Sequence, residues 1–392
     1  MNELTYHEIA NIFPLMQENE LRKLSEDIRA TGLQNKIILY EGKILDGRNR
    51  YEACGLAGVA PEYGEYVGAD PLAYVISLNL HRRHLSESQR AVVASRLANM
   101  RSGERTDLEP NANLQKVISQ PEAAKMLNVS TRMVASVKAI EKAAPEKIKD
   151  IESGKTTVHQ AEKEIKQKEK EADKAAEVQS LEIKPVLYCA DAFSFDPGPV
   201  DLLLTDPPYS TDVENIREFA PRVIGLLGYV KSTGRAYIFV GSYPDELTAY
   251  LTAPSPRNMK LSQILVWTYR NTLGPSPKQL YKNNWQAILY FVGNEAPPLD
   301  CPVLNELFSV QDINAPDGRL GDRYHAWQKP LEISDRFIRH STKPGDTVYD
   351  PFSCTGTFLI SASKLGRHAI GCEISQEAIA IANSRGVQCA TI

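Results

Sequence analysis

The chain has 392 residues, of which 42% are hydrophobic and 24% are charged, and its formal net charge is -4. At roughly 150 residues per domain this length predicts two or three domains, and the balanced charge excludes a protein that is basic throughout. Any contact with nucleic acid must therefore come from a local basic patch.

Membrane, secretory and metal-binding classes find no support in the sequence. None of the six cysteines forms the closely spaced pair of a zinc or redox motif, so no metal site is expected. The N-terminus lacks the basic-then-apolar pattern of a signal peptide, and no apolar run approaches the roughly 18 residues of a membrane span. We expect a cytoplasmic protein that makes no membrane contact.

Residues 1–84 mix short helical and strand patterns. LRKLSEDIRATG has helical spacing, whereas KIILY and KILDG are β-prone runs on either side of a turn at Glu41-Gly42. This mixture predicts an α+β domain over residues 1–84.

Residues 85–150 are expected to form an all-α domain, and residues 119–140 have the pattern of a helix-turn-helix. Ser119 is placed to cap a first helix, Asn128 to form the turn and Ser130 to cap a second helix. A helical hairpin that binds no nucleic acid is the alternative. The outer face of the second helix carries polar side chains that could enter a DNA major groove, namely Thr131, Arg132, Ser136 and Lys138.

Two different segments follow. Residues 151–180 are mostly Lys, Glu, Gln and Ala with nearly cancelling charges, which predicts a charged helical linker. Residues 181–392 alternate short, continuously apolar runs with segments of helical spacing. Such runs are typical of strands buried on both faces, so we expect a Rossmann-like α/β domain.

An apolar run, VDLLLT, ends directly before Asp206-Pro207-Pro208-Tyr209. Ligands of open α/β sheets bind beyond the carboxyl ends of strands, so these four residues are candidate catalytic residues. The Asp206 carboxylate and the Pro207 carbonyl could accept hydrogen bonds from an exocyclic amine, while Pro208 stiffens the loop and Tyr209 stacks on a flipped base. The alternative is a turn that Asp206 merely caps.

A second strand-end motif, TVYDPFSCTGTF, predicts a turn followed by a helix N-terminus. The next strand pattern, HAIGCEI, ends in an acidic residue that suits the two hydroxyls of a ribose. Alone, this order fits a dinucleotide or S-adenosylmethionine. Its candidate cofactor-binding residues are Asp350, Phe352, Cys354, Thr355, Gly356, Thr357 and Glu373.

Together the two motifs make residues 181–392 resemble the β-type, circularly permuted DNA adenine-N6/cytosine-N4 amino-methyltransferases. The resemblance implies S-adenosylmethionine as cofactor, double-stranded DNA as substrate, a restriction-modification context and a homodimer. It further implies that His325, Lys329 and Pro330 close over the methionine part of the cofactor and that Asp191 lies near its adenine. Asp206 favours adenine N6 as the target, and cytosine N4 remains the rival product.

Three features depart from this family. Cys354 stands where Gly is usual, and a positive φ there would strain it and weaken cofactor binding. Gln286 stands where an acidic residue is common. The segment that could form a target-recognition region, 293–324, is short and has few basic residues beyond Arg319 and Arg323. DNA recognition is therefore expected to fall largely to the N-terminal half.

Residues 5–150 resemble the ParB and sulfiredoxin-like N-terminal domain followed by a helix-turn-helix. The resemblance implies CTP binding at the positions that match ParB's two nucleotide boxes, for which a structural or DNA-backbone role is the alternative. A ParB-like regulator with a degenerate methyltransferase half is the rival function. The matching residues are Arg48, Arg50, Asn79 and Arg82.

Overall fold

The computed structural model describes residues 4–82, 85–99, 118–271, 278, 281–317, 323–325 and 328–391. Residues 102–113 and Arg319 lie outside the described residues, as does the side chain of Arg82. Tertiary contacts divide the chain into Met1–Lys168 and Glu169–Ile392, and the division falls inside the charged segment 151–180. Of the helices in the described ranges, none has the length and apolar character to cross a bilayer.

The N-terminal unit contains a small sheet and a set of helices. Its three strands have the order β2-β1-β3, with β1 antiparallel to β2 and parallel to β3. Glu41 and Gly42, both with positive φ, form the predicted turn between the first two strands. The elements are α1 (Glu18–Thr31), β1 (Ile37–Tyr40), β2 (Lys43–Asp46), α2 (Arg48–Ala57), β3 (Tyr63–Glu65), α3 (Pro71–Arg82), α4 (Glu87–Asn99), α5 (Gln120–Met126), α6 (Thr131–Ala143), α7 (Glu146–Glu152) and α8 (Val158–Ser180), preceded by a 3₁₀ helix at Glu8–Ile12.

Helices α5 and α6 form the predicted helical pair. Ser119 and Glu122 make a reciprocal capping box at the start of α5, and the Ser130 hydroxyl accepts a hydrogen bond from the Met133 amide at the start of α6. Asn128 adopts the left-handed conformation (φ 52°) in the turn. On α6, Thr131 and Arg132 are exposed. Ser136 and Lys138 on the same helix are half-buried. Their contact with DNA stays a prediction.

The C-terminal unit is built on a nine-stranded sheet with the order β12-β4-β11-β10-β5-β6-β8-β7-β9, in which β8 alone runs against its neighbours. Its elements are β4 (Pro185–Cys189), β5 (Val200–Thr205), α9 (Ile216–Gly225), β6 (Val230–Val240), α10 (Pro244–Thr252), β7 (Met259–Thr268), β8 (Trp285–Gly293), β9 (Val310–Asp312), α11 (Leu331–Ser341), β10 (Thr347–Asp350), α12 (Thr357–Lys364), β11 (His368–Glu373), α13 (Gln376–Ser384) and β12 (Gln388–Ala390), with 3₁₀ helices at Leu226–Tyr229 and Leu304–Leu307.

Strand β5 is buried on both faces, as its unbroken apolar run predicts. Leu202 and Leu204 pack in one hydrophobic cluster, whereas Val200 and Leu203 pack in the cluster on the other side of the sheet. Strand β5 pairs in parallel with β10, so the two motifs that follow these strands emerge side by side. This pairing brings together Thr205 and Asp350, which are 145 positions apart in the chain and are joined by a hydrogen bond between their side chains.

Candidate active site

The side chains of Asp206 and Tyr209 are joined in one hydrogen-bonded network at the end of β5. The Tyr209 hydroxyl donates to Asp206 Oδ1 at 2.5 Å, and Gln286 Nε2 donates to the Tyr209 hydroxyl at 2.9 Å. Lys329 Nζ donates to Asp206 Oδ2 and, at 2.8 Å, to the same hydroxyl. The structure therefore brings two of the predicted catalytic residues together with Gln286 and Lys329.

Burial sets the protonation of this network. Burial, with the nearby Asp206 carboxylate, raises the pKa of Tyr209 well above its ordinary value, so the phenol keeps its proton and donates it to Asp206. Burial also lowers the pKa of Lys329, an effect that the Asp206 charge opposes. A protonated phenol and a close Lys–Asp contact describe the site at neutral pH.

A cavity of about 350 Å³ opens beside this network. Its wall is aromatic on several sides and includes Trp267, Tyr269 and Trp285. Gln286 also lines it and is 7% exposed, and its Oε1 has no hydrogen-bond partner among the described residues. A planar heterocycle with polar edges suits such a wall, because it can stack on the rings and use the open acceptor.

Glu246 on α10 anchors the loop after Tyr209, and sequence reasoning missed it. Its side chain is 1% exposed, its Oε1 accepts from the Gly241 amide at 2.6 Å, and its Oε2 accepts from the Ser210 amide at 2.9 Å. One carboxylate thus ties the end of β6 to the loop that carries Tyr209. A buried acidic residue can be recognised only once α10 is seen to pack here.

Replacing Glu246 with Ala is expected to lower the free energy of unfolding by about 3 kcal/mol, because two buried amides lose their acceptor. Urea denaturation followed by circular dichroism measures the change. Asp245→Ala provides the control, since the neighbouring Asp245 is exposed. Equal stability of the two variants would show that Glu246 does not anchor the loop.

The second motif forms a tight turn, and its acidic residue, Asp350, stabilises that turn through hydrogen bonds. Asp350 is 2% exposed, and burial raises its pKa to about 8. Its Oδ1 accepts from the Thr205 hydroxyl at 2.7 Å and from the Phe352 amide at 3.3 Å. Arg385, another residue that sequence reasoning missed, holds the turn from behind by donating to Thr355 and Thr357.

Cys354 has φ 47°, so the condition for strain at this position is met. The next left-handed residue, Gly356, has φ 76° and precedes α12. A Cβ on Gly356 would lie 2.9 Å from Val387 Cγ2. Both positions favour glycine, and only one of them has it.

We expect Cys354→Gly to raise the free energy of unfolding by about 0.5–1 kcal/mol by removing this strain. Gly356→Ala should lower it by about 1–2 kcal/mol, because it creates strain and a contact with Val387. Parallel urea titrations of both variants check the pair. A Cys354→Gly variant less stable than the wild type would mean that packing of the sulfur outweighs strain.

Acidic and apolar groups meet at the carboxyl ends of β4 and β11. Cys354 N donates to Glu373 Oε2 at 2.9 Å, and Glu373 Oε1 accepts from the amides of Ile374 and Ser375. Ile374 is 72% exposed, and Asp191 is also exposed. A carboxylate beside an exposed aliphatic side chain fits the ribose and base of a nucleoside. Because Gly371 beneath the turn has no room for a Cβ, turn and sheet approach closely.

The three residues predicted to close over the cofactor have different environments in the structure. Pro330 is buried and stands at the N-cap of α11, and His325 is exposed. Lys329 directs its ammonium to Asp206 and Tyr209. Its ammonium thus contacts two of the predicted catalytic residues.

The candidate nucleotide-binding residues of the N-terminal unit have internal partners. Arg48 donates to Asn11 Oδ1 at 2.8 Å and to the Phe13 carbonyl, and Arg50 donates to Asp46 Oδ2 at 2.8 Å. Asn79 Nδ2 donates to the carbonyl of Val75 at 2.9 Å. These contacts favour the structural role that the sequence left open for these positions.

A separate group of metal-ligand types occurs away from this site. The ligand atoms of Cys301, Glu306 and His340 lie within 4.8 Å of one another. Glu306 is already in contact with Arg336 and Arg339, whose charges oppose a metal cation. We therefore assign these three residues a structural role and not a metal-binding one.

A family model and several known proteins match parts of this chain. A family model described as DNA methylase, of the N6/N4 methyltransferase type, matches residues 200–384. The type II methyltransferase M1.MboII of Moraxella bovis is 44% identical over 67 residues, which are 17% of this chain and 26% of that protein. The chain thus matches about a quarter of that relative's length. These matches support an amino-methyltransferase domain in the C-terminal unit.

Two solved structures are similar over half of the chain. The M1.HpyAVI–SAM complex is 24% identical, covering 51% of this chain and 99% of that one, with a TM-score of 0.40. PvuII DNA methyltransferase (cytosine-N4-specific) is 19% identical, covering 53% and 90%, with a TM-score of 0.44.

Proposed function

We propose that this chain is a DNA methyltransferase that uses S-adenosylmethionine to methylate the N6 amino group of adenine. The observation that carries the proposal is the position of the Asp206–Tyr209 network. It lies between the aromatic cavity and the turn at 350–357, because β5 and β10 are paired. A base in the cavity and a nucleoside cofactor at the turn would meet at Asp206.

The residues act by orienting an amine. The lone pair of an exocyclic amine is delocalised into its ring, and acceptors on both N–H groups favour the tetrahedral form that can attack. Asp206 and the Pro207 carbonyl are the acceptors in our proposal, and Pro208 stiffens the loop. The ring of Tyr209 provides a face for the flipped base. S-adenosylmethionine, when bound, supplies an electrophilic methyl group.

The cofactor side is proposed to use the residues around the turn. Glu373 would bind the ribose hydroxyls, Asp191 and Phe352 would face the adenine, and the amides of residues 354–357 would contact the remainder. The strand-end position of Glu373 and the exposed Ile374 beside it support this assignment.

Transfer of labelled methyl groups to duplex DNA, followed by mass spectrometry of the digested nucleosides, tests the proposal. N6-methyladenine is the expected product. Methyl found only on cytosine N4 would overturn the adenine assignment. A wild-type protein that transfers none and binds no S-adenosylmethionine would favour the ParB-like regulator with a degenerate methyltransferase half.

We further propose that α6 contributes to duplex binding. Changing Arg132 and Lys138 to Ala together should weaken binding about tenfold near physiological salt and reduce the salt slope by about 2, because each cation neutralises one phosphate. Fluorescence anisotropy at several salt concentrations measures both effects. The matched control changes Arg22 and Lys23, which are exposed on α1. Equal salt slopes for the two variants would remove α6 from the interface.

A further inference from the structure

Lys329 lies on the side of the site where the target base is expected. Its side chain is 3% exposed, although the residue stands in a connecting segment, next to the N-cap residue Pro330 of α11. Its ammonium contacts Asp206 and Tyr209, and the ring centroids of Phe239, Tyr209 and Trp267 lie 5.3, 5.5 and 5.7 Å from Nζ. Aromatic faces stabilise a desolvated cation, so the ammonium is held within the protein.

The hydrogen bonds around the Tyr209 hydroxyl can be assigned from its valence. A phenol has one proton to donate and two lone pairs to accept with. The proton goes to Asp206 Oδ1, so Lys329 and Gln286 must both be donors. Gln286 therefore presents its amino group to Tyr209, and its Oε1, at the cavity wall, has no partner within the described part of the chain. Both the ring of Tyr209 and the amide of Gln286 are fixed in orientation by this network.

The charge balance at Asp206 depends on Lys329. In the described part of the chain, Lys329 is the cation in contact with the Asp206 carboxylate. Arg385 acts on the neighbouring Cys354, and Lys282 and Arg323 line the adjoining cavity. The other titratable groups that act on Asp206 and its neighbours carry carboxyl, phenol or thiol groups: Tyr209, Glu246, Tyr250, Asp350, Cys354 and Glu373.

We propose that Lys329 is a positioning residue of the methyl-transfer site, which holds the Asp206 carboxylate and the Tyr209 ring in place for the incoming base. This inference rests on the proposed function of the same site. It assigns Lys329 to the side of the site that would hold the target base, whereas the family resemblance implies a position over the methionine part of the cofactor.

Steady-state kinetics of Lys329→Met separates the two assignments, because methionine matches the side chain in length and lacks the charge. We expect kcat to fall about 10²-fold while the Kd for S-adenosylmethionine, measured by calorimetry, stays within about twofold. A role on the cofactor would instead raise that Kd and leave kcat at saturation unchanged, and this result would overturn the proposal. Lys364→Met, at an exposed lysine paired with Glu177, is the matched control.

Lys329→Gln separates the charge from the hydrogen bonds. It keeps a donor and loses the charge, so kcat should fall as far as in Lys329→Met while the Kd for S-adenosylmethionine stays within about twofold. It also serves if Lys329→Met fails to fold. A folded Lys329→Gln variant with a wild-type kcat contradicts the charge role.

Failure of the proposed function is distinguishable from failure of this inference. If the wild type transfers no methyl to DNA, the Tyr209 ring can still be followed by NMR of protein with ¹³C-labelled tyrosine rings, with Tyr209→Phe to assign the resonance. A changed Tyr209 resonance in Lys329→Gln, together with an unchanged one in Lys364→Met, supports the inference. A Tyr209 resonance that is identical in Lys329→Gln and the wild type overturns it.

Discussion

Asp206→Asn is expected to lower the rate of methyl transfer at saturating cofactor about 10³-fold, which is the effect of removing a charged acceptor from a preorganised site. Asparagine keeps the shape and one acceptor for the Tyr209 hydroxyl, but it loses the charge and the second acceptor, which Lys329 now occupies. Binding of S-adenosylmethionine should stay within about twofold, because the amide leaves the turn at 350–357 intact. Single-turnover kinetics with labelled cofactor measures the rate.

Asp245→Asn provides the matched control, since Asp245 is exposed on α10 and its contact with Arg217 is at 3.8 Å between exposed side chains. Its rate should equal that of the wild type. An Asp206→Asn variant that retains a near wild-type rate would move the chemistry away from the tetrad. A variant that loses cofactor binding in parallel would make Asp206 part of the cofactor site instead.

The strands that carry the site could be predicted from local sequence because burial on both faces leaves a continuous apolar run. VDLLLT and TVYD form β5 and β10. Because these two strands pair in parallel, their carboxyl ends lie side by side, where ligands of such sheets bind. The capped ends of α5 and α6 were predictable for a related reason, since capping depends on residues three apart. By contrast, the short edge strands β9 and β12 have too few residues for a periodic pattern.

Side-chain partners that come from distant elements could not be predicted. Glu246 lies in α10, which had not been recognised as a helix, and its two amide donors belong to other segments. Lys329 has the residue type expected for the cofactor segment, yet its direction depends on packing against Phe239 and Trp267. Arg48 shows the same limit. The sequence around an arginine does not tell whether its guanidinium binds a triphosphate or, as here, the Asn11 side chain and the Phe13 carbonyl.

The second large effect is expected at Tyr209, where the ring and the hydroxyl can be removed separately. Tyr209→Ala should lower kcat/KM about 10- to 100-fold, since stacking on one base contributes about 1–3 kcal/mol. Tyr209→Phe keeps the face for stacking and loses the donor to Asp206, so we expect a smaller loss of about tenfold, confined to kcat. Duplexes with 2-aminopurine at the target position report base flipping by fluorescence.

The two variants together decide what the tetrad's aromatic residue contributes. If stacking dominates, the fluorescence increase on binding is kept in Tyr209→Phe and lost in Tyr209→Ala. If the hydroxyl dominates, both variants lose the same amount of activity, because Lys329 and Gln286 then lose the acceptor that fixes them. Melting temperatures must be compared first, since Ala at a side chain that is 9% exposed also leaves a void. Equal activity of Tyr209→Ala and wild type, in folded protein, would exclude both roles.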